Sequence, residues 1–167
     1  MNLSESIYQH RFDDVKDYLH HRPPYLLVDS VTQIDDASIE TSATVDPNAF
    51  FIQGHFPGAP ILPGAMMQEM MTQSAGILIA ANYNPMPVYN THDPHFNEFA
   101  LGVLVKVKGA RYRGFARPND SLSIRVTLDE RIGQLFDFSG TIYLKEKPIC
   151  ENQFQLMNIQ SNLLQGN

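Results

Sequence analysis

The longest apolar run, GAMMQEMMTQSAGILIAANY at residues 64–83, points hydrophobic side chains in nearly every direction around a helical wheel. That pattern predicts a helix buried on all sides, and Pro63-Gly64 stands where it could begin. Gln68, Glu69, Thr72 and Gln73 interrupt the run and argue against a membrane span. After an irregular stretch at 84–98 the period changes to two. Val103, Val105 and Val107 alternate with other residues, as do Leu122, Ile124, Val126 and Leu128. Phe136, Phe138, Gly140 and Ile142 continue the pattern, followed by Cys150, Asn152, Phe154 and Leu156. Gly133 and the 145–148 segment mark turns between the last three runs, as in an antiparallel meander.

Upstream, 25–34 and 39–45 read as strands, the second with Ile39, Thr41, Ala43 and Val45 on one face. Residues 4–19 carry Ile7, Tyr8, Phe12, Val15 and Leu19 at helical spacing, ended by Pro23-Pro24. A Gly- and Pro-rich loop fills 46–63. One long apolar helix with five or six antiparallel strands predicts an α+β domain, a sheet wrapped around a central helix, spanning 1–167. The open edge and outer face of such a sheet call for a second subunit.

Composition fits a globular chain, with 43% hydrophobic and 18% charged residues. The first twenty residues hold Glu5, Asp13, Asp14 and Asp17 and no apolar stretch, unlike a secretory signal. The single Cys150 rules out an internal disulfide and suits a reducing cytoplasm. The net charge of −6 is unevenly spread, because Lys106, Lys108, Arg111, Arg113 and Arg117 fall within residues 106–117 without an acid. This stripe is either a solvated strand face or a site for a phosphate or an acidic partner. The acidic remainder argues against nucleic-acid binding.

The chemistry concentrates at 54–69, GHFPGAPILPGAMMQE. His55 lies in a loop stiffened by proline, which holds its imidazole in one place. Gly64 opens the buried helix, where unbonded N–H groups and the helix dipole favour negative charge and would polarise a carbonyl oxygen. Glu69, one turn further in among Met66, Met67, Met70 and Met71, should be harder to ionise than an ordinary carboxyl. Gln73 is four residues on and within reach of it. A base, an acid and an oxyanion site are the parts that elimination beside a carbonyl requires. His92-Asp93-Pro94-His95 has the residue types of a metal site, but no second cluster accompanies it and Pro94 breaks any helix. No metal is expected.

HFPGAPILPGAMMQEMMTQ resembles the signature of the FabZ-type 3-hydroxyacyl-acyl-carrier-protein dehydratases of the hotdog fold. The likeness extends upstream through His21-Arg22-Pro23-Pro24-Tyr25-Leu26-Leu27-Val28-Asp29. Downstream it runs through Ala110-Arg111-Tyr112 and Arg117-Pro118-Asn119-Asp120. It implies that His55 and Glu69 are the catalytic pair, and Glu69 points to the FabZ-like branch, since the FabA-type branch has aspartate at the second position. It further implies a homodimer whose sites combine His from one subunit with Glu from the other, leaving open a trimer of dimers. The substrate would be a (3R)-hydroxyacyl chain on the phosphopantetheine of an acyl carrier protein, converted to a trans-2-enoyl thioester without a metal or redox cofactor. Gly64 and Ala65 would hold the thioester oxygen, with Phe56, Pro63 and Gln73 lining the site. The basic stripe would dock the acidic carrier. Three positions depart from the pattern: a longer 84–98 segment, Asn119 for glycine, and Val103 where some members carry a tunnel-gating tyrosine. A hotdog thioesterase and a non-catalytic acyl-carrier-binding subunit are the competing readings.

Overall fold

The computed structural model describes residues 8–88, 90–93 and 99–163. Its centre is the helix Gly64–Tyr83, with the bounds that the apolar run predicted. From Met67 to Tyr83 every residue except Glu69 is buried, so a helix without a polar face ends up without a solvent face.

Around it folds one six-stranded antiparallel sheet of β1 (Ser30–Ile34), β2 (Ser38–Thr44), β3 (Phe99–Tyr112), β4 (Ser121–Ile132), β5 (Leu135–Leu144) and β6 (Lys147–Gln160). The order is β1-β2-β4-β5-β6-β3. β4, β5 and β6 form the expected meander, while β3 pairs with β6 at the far edge. The alternating residues turn inward: Ile39, Thr41 and Ala43 on β2, Ile124 and Val126 on β4, Phe136 and Phe138 on β5, Phe154 and Leu156 on β6 are all buried. Gly140 lets β5 approach the helix, since a Cβ there would stand 2.7 Å from the Met71 sulfur. Thr41 and Ser74 satisfy each other across the sheet–helix contact through a 2.8 Å hydroxyl pair. This is the hotdog arrangement, a sheet rolled around one helix.

Several segments differ from expectation. The first strand begins at Ser30, and residues 25–29 are irregular because their backbone groups bond elsewhere, as with Leu27 N–H to Gln73. The helix expected over 4–19 is reduced, among the described residues, to α1 (Val15–Tyr18), capped by Asp14. Residues 8 and 10 instead donate their N–H groups to the Asn82 and Ala81 carbonyls at the end of the long helix. The 46–63 loop contains a single helical turn, α2 (Phe50–Gln53), anchored by buried Ile52. The long helix is accordingly α3. Asn119 adopts φ 70°, the left-handed conformation that asparagine tolerates in place of glycine.

β3 is a 14-residue edge strand, and residues 103–112 are exposed on both faces. Its register sets Val103 opposite Met157 on the outer face. A shift between Val107 and Gly109 re-phases the strand, which places Tyr112 on the face toward α3.

Candidate active site

His55 follows α2, and its N–H is bonded to the Ile52 carbonyl at 3.1 Å. The loop folds back so that Ile61 N–H donates to the His55 carbonyl at 2.8 Å, while His55 Nδ1 lies 3.1 Å from the Ile61 oxygen. A carbonyl can only accept, so Nδ1 is the donor and, in the neutral ring, the lone pair lies on Nε2. The imidazole is therefore held as a proton acceptor. The peptide joining His55 to Phe56 is cis, and the two rings stack at 4.3 Å. Phe56 is exposed.

Pro63 caps α3, its carbonyl accepting from the Met66 and Met67 N–H groups at 3.0 and 3.2 Å. The N–H groups of Gly64 and Ala65 precede the first intrahelical acceptor and stay available to an oxyanion. Tyr112 lies across this helix start: a Cβ on Gly64 would meet its ring at 2.9 Å. Any larger residue at 64 would have to push that ring aside.

Glu69 is partly buried, and desolvation raises its pKa, opposed by hydrogen bonds from Gln73 and Tyr25. The methionines beside it in sequence do not provide this environment. Met67, Met70 and Met71 turn into the core, and the carboxyl faces a polar group of Gln73, Tyr25 and His21. Gln73 Oε1 accepts the Leu27 N–H at 2.8 Å, which forces its amide nitrogen to be the donor elsewhere. That nitrogen gives one hydrogen to the Tyr25 carbonyl and one to Glu69 Oε1, both at 2.8 Å. Gln73 is thus fully satisfied and its orientation toward the acid is fixed.

Two residues of this cluster had no role assigned by sequence reasoning. The His21 Nε2 lies 3.7 Å from Glu69 Oε1, and its ring stacks on Tyr25 at 6.1 Å. The only sequence signal was the rigid His21-Arg22-Pro23-Pro24-Tyr25 string. Tyr112 was seen only as part of a matching motif.

Within one chain, His55 and Glu69 make separate sets of hydrogen bonds. Within the basic stripe, Lys106 and Arg111 pair in register with Gln155 and Glu151 on the outer face of the sheet, while Arg113 and Arg117 lie in the loop between β3 and β4. Lys108 is paired with Asp137, and Arg113 with Glu151 at 2.8 Å, whereas Lys106, Arg111 and Arg117 are exposed. Arg111 borders an open outer groove of about 460 Å³ that also takes in Glu151 and Asn152. No group of three or more metal-ligating residues occurs among the described residues. His92 contacts Arg22 at 3.0 Å, while Pro94 and His95 lie outside the described residues. No helix among the described residues is long and apolar enough to cross a membrane.

Comparison with known proteins matches residues 19–153 to the family model described as FabA-like domain. The chain is 31% identical over 145 residues to the 3-hydroxyacyl-[acyl-carrier-protein] dehydratase FabZ of Rickettsia bellii, covering 86% of this chain and 92% of that protein. It is 32% identical over 134 residues to the FabZ of Verminephrobacter eiseniae, covering 80% and 83%. Among solved structures, the dehydratase heterocomplex ApeI:P from Xenorhabdus doucetiae superposes with a TM-score of 0.73 at 21% identity, covering 92% and 96% of the chains. A thioesterase from Pseudomonas aeruginosa shares the fold alone, with a TM-score of 0.56 at 13% identity over 80% and 81% of the chains. With the match running through both His55 and Glu69, the chain belongs to the FabA-like family and is a FabZ-like member of it.

Proposed function

We propose that this protein is a 3-hydroxyacyl-[acyl-carrier-protein] dehydratase, working as a homodimer in which His55 of one subunit faces Glu69 of the other. The observation that carries the reading is the pairing of opposite proton states in the matched region. The Nδ1 of His55 is committed to the Ile61 carbonyl, which leaves Nε2 as the acceptor of the neutral ring, and burial raises the pKa of Glu69. These are the states that a base and an acid need before an elimination begins.

In the reaction His55 Nε2 takes the C2 proton while the Gly64 N–H, with Ala65 beside it, stabilises the charge developing on the thioester oxygen. Glu69 then protonates the departing C3 hydroxyl, and water leaves to give the trans-2-enoyl thioester. Phe56 and Pro63 wall the approach, and Gln73 sets the acid. Elimination of this kind requires no metal or redox group. Support for a dimer comes from β3, whose residues 103–112 form a long exposed edge with Val103, Leu104, Val105 and Val107 uncovered. A second copy laid along that edge would cover them and bring each His55 loop to the neighbour. As the single cysteine, Cys150 leaves the chain without an internal disulfide, which suits a cytoplasmic location. Lys106, Arg111 and Arg117 are the cations available to an acidic carrier protein.

The test is incubation with crotonyl and 3-hydroxybutyryl thioesters, following enoyl absorbance and free thiol together. Interconversion of the two thioesters is expected, and His55→Ala and Glu69→Gln should each lower it by about a hundredfold or more. Release of free thiol without interconversion would overturn the reading in favour of hydrolysis.

A further inference from the structure

A carboxylic acid that gives up its proton inside a protein needs donors for the anion left behind. Around Glu69 the donors are Gln73 at 2.8 Å, the Tyr25 hydroxyl, and the imidazole of His21 at 3.7 Å. The last distance is about 0.8 Å beyond an ordinary N–H···O bond. His21 therefore stands ready without yet being engaged.

Which nitrogen bears the His21 proton follows from burial. Nδ1 is enclosed with no hydrogen-bond partner, whereas Nε2 faces Glu69. A buried N–H without an acceptor is costly, so the proton of the neutral ring belongs on Nε2, directed at the carboxyl. Burial, with His20 and Arg22 nearby, lowers the pKa of His21 and keeps the ring neutral. Arg22 is itself tied to the carbonyls of Leu19, His21 and Thr91 and to His92. A neutral donor grips a carboxylate but leaves the protonated acid largely undisturbed. The parallel stack on Tyr25, with 17° between planes, holds the ring on its line of approach.

We infer that His21, with Tyr25, is a positioning residue for the reaction's acid, closing on Glu69 to donate a hydrogen bond as the carboxylate forms. This rests on the dehydratase reading above. In the step, the Glu69 O–H bond breaks and its proton joins the C3 oxygen, which departs as water with the C3–O electron pair. The C2–H pair becomes the new double bond, and His55 holds the C2 proton. His21 loses no proton; it only shares its Nε2–H with the new anion. Stabilisation that appears only as charge develops lowers the barrier without tightening substrate binding.

The experiment compares His21→Leu, which deletes the donor, with His21→Gln, whose amide reaches a similar distance. Measured are kcat, KM and the pH profile of kcat on 3-hydroxybutyryl thioester, with thermal melting to check folding. Removing a donor from the carboxylate makes Glu69 a weaker acid. The expected result is a kcat about ten- to a hundredfold lower in His21→Leu, with KM little changed. The alkaline limb of its kcat profile should move to higher pH, and His21→Gln should recover a substantial part of both. A merely structural role would lower kcat without moving that limb, and an unmoved limb overturns the inference. Should His21→Leu fail to fold, Tyr25→Phe removes the companion donor and must show the same limb movement. If wild-type protein turns over the thioester and Glu69→Gln does not, while the limb stays fixed in the His21 variant, only this inference falls. An inactive wild type would remove the dehydratase reading itself.

Discussion

Replacing Gln73 by Leu probes the hinge between fold and chemistry, because one amide serves both. The substitution strips the buried Leu27 N–H of its 2.8 Å acceptor and the Tyr25 carbonyl of its donor. A buried N–H left unmade costs about 1–3 kcal/mol, and the half-exposed Tyr25 region adds about 1 kcal/mol at most. A total of about 1–4 kcal/mol should lower the melting temperature by roughly 2–16 °C, at about 2–4 °C per kcal/mol for a chain of this size. The same change removes the 2.8 Å donor from Glu69. Its carboxyl then becomes harder to ionise, and kcat should fall about tenfold or more. Differential scanning calorimetry reads the first effect and the thioester assay the second. A variant that melts within about 1 °C of wild type would show that the Leu27 and Tyr25 contacts are not satisfied through Gln73, and the fixed orientation of the amide would be refuted.

Other outcomes follow from the charges. Reversing Arg111 to Glu should raise KM for a carrier-protein-bound substrate more than for the coenzyme A analogue, since only the former presents an acidic surface. Equal effects on both would return the basic stripe to a solvated face. The folded-state pKa of Glu69 lies above its ordinary 4.5, so the stability it contributes is present below that value and is lost as pH rises through the raised one. Melting curves from about pH 5 to about pH 8 should therefore fall more steeply for wild type than for Glu69→Gln, and parallel curves would contradict the burial of that carboxyl.

Local spacing was enough to find the long helix from Gly64 to about Tyr83, the strand character of the four downstream runs, and the candidacy of His55, Gly64 and Glu69. These are properties of near neighbours: side chains two, three or four positions apart share a face whatever the rest of the chain does. Even the Glu69–Gln73 bond, one helical turn long, was legible in this way. Spacing failed where a segment's backbone was satisfied from afar. Residues 25–29 have strand-like composition, yet Leu27 bonds to a side chain 46 residues away and Tyr25 to the same side chain 48 away. The N-terminal residues have helical spacing, yet Tyr8 and His10 are drawn to the carbonyls that end α3. In the same way, the methionines adjacent to Glu69 predicted its raised pKa for an incomplete reason. Burial does raise it, but tertiary packing sends those side chains to the core and brings His21 and Tyr25 to the carboxyl instead. Only the folded chain decided that Tyr112 would cover Gly64 and that the β3 register shift would turn its inward positions there. Such contacts join elements whose relative placement depends on every layer between them, and no local period encodes that distance.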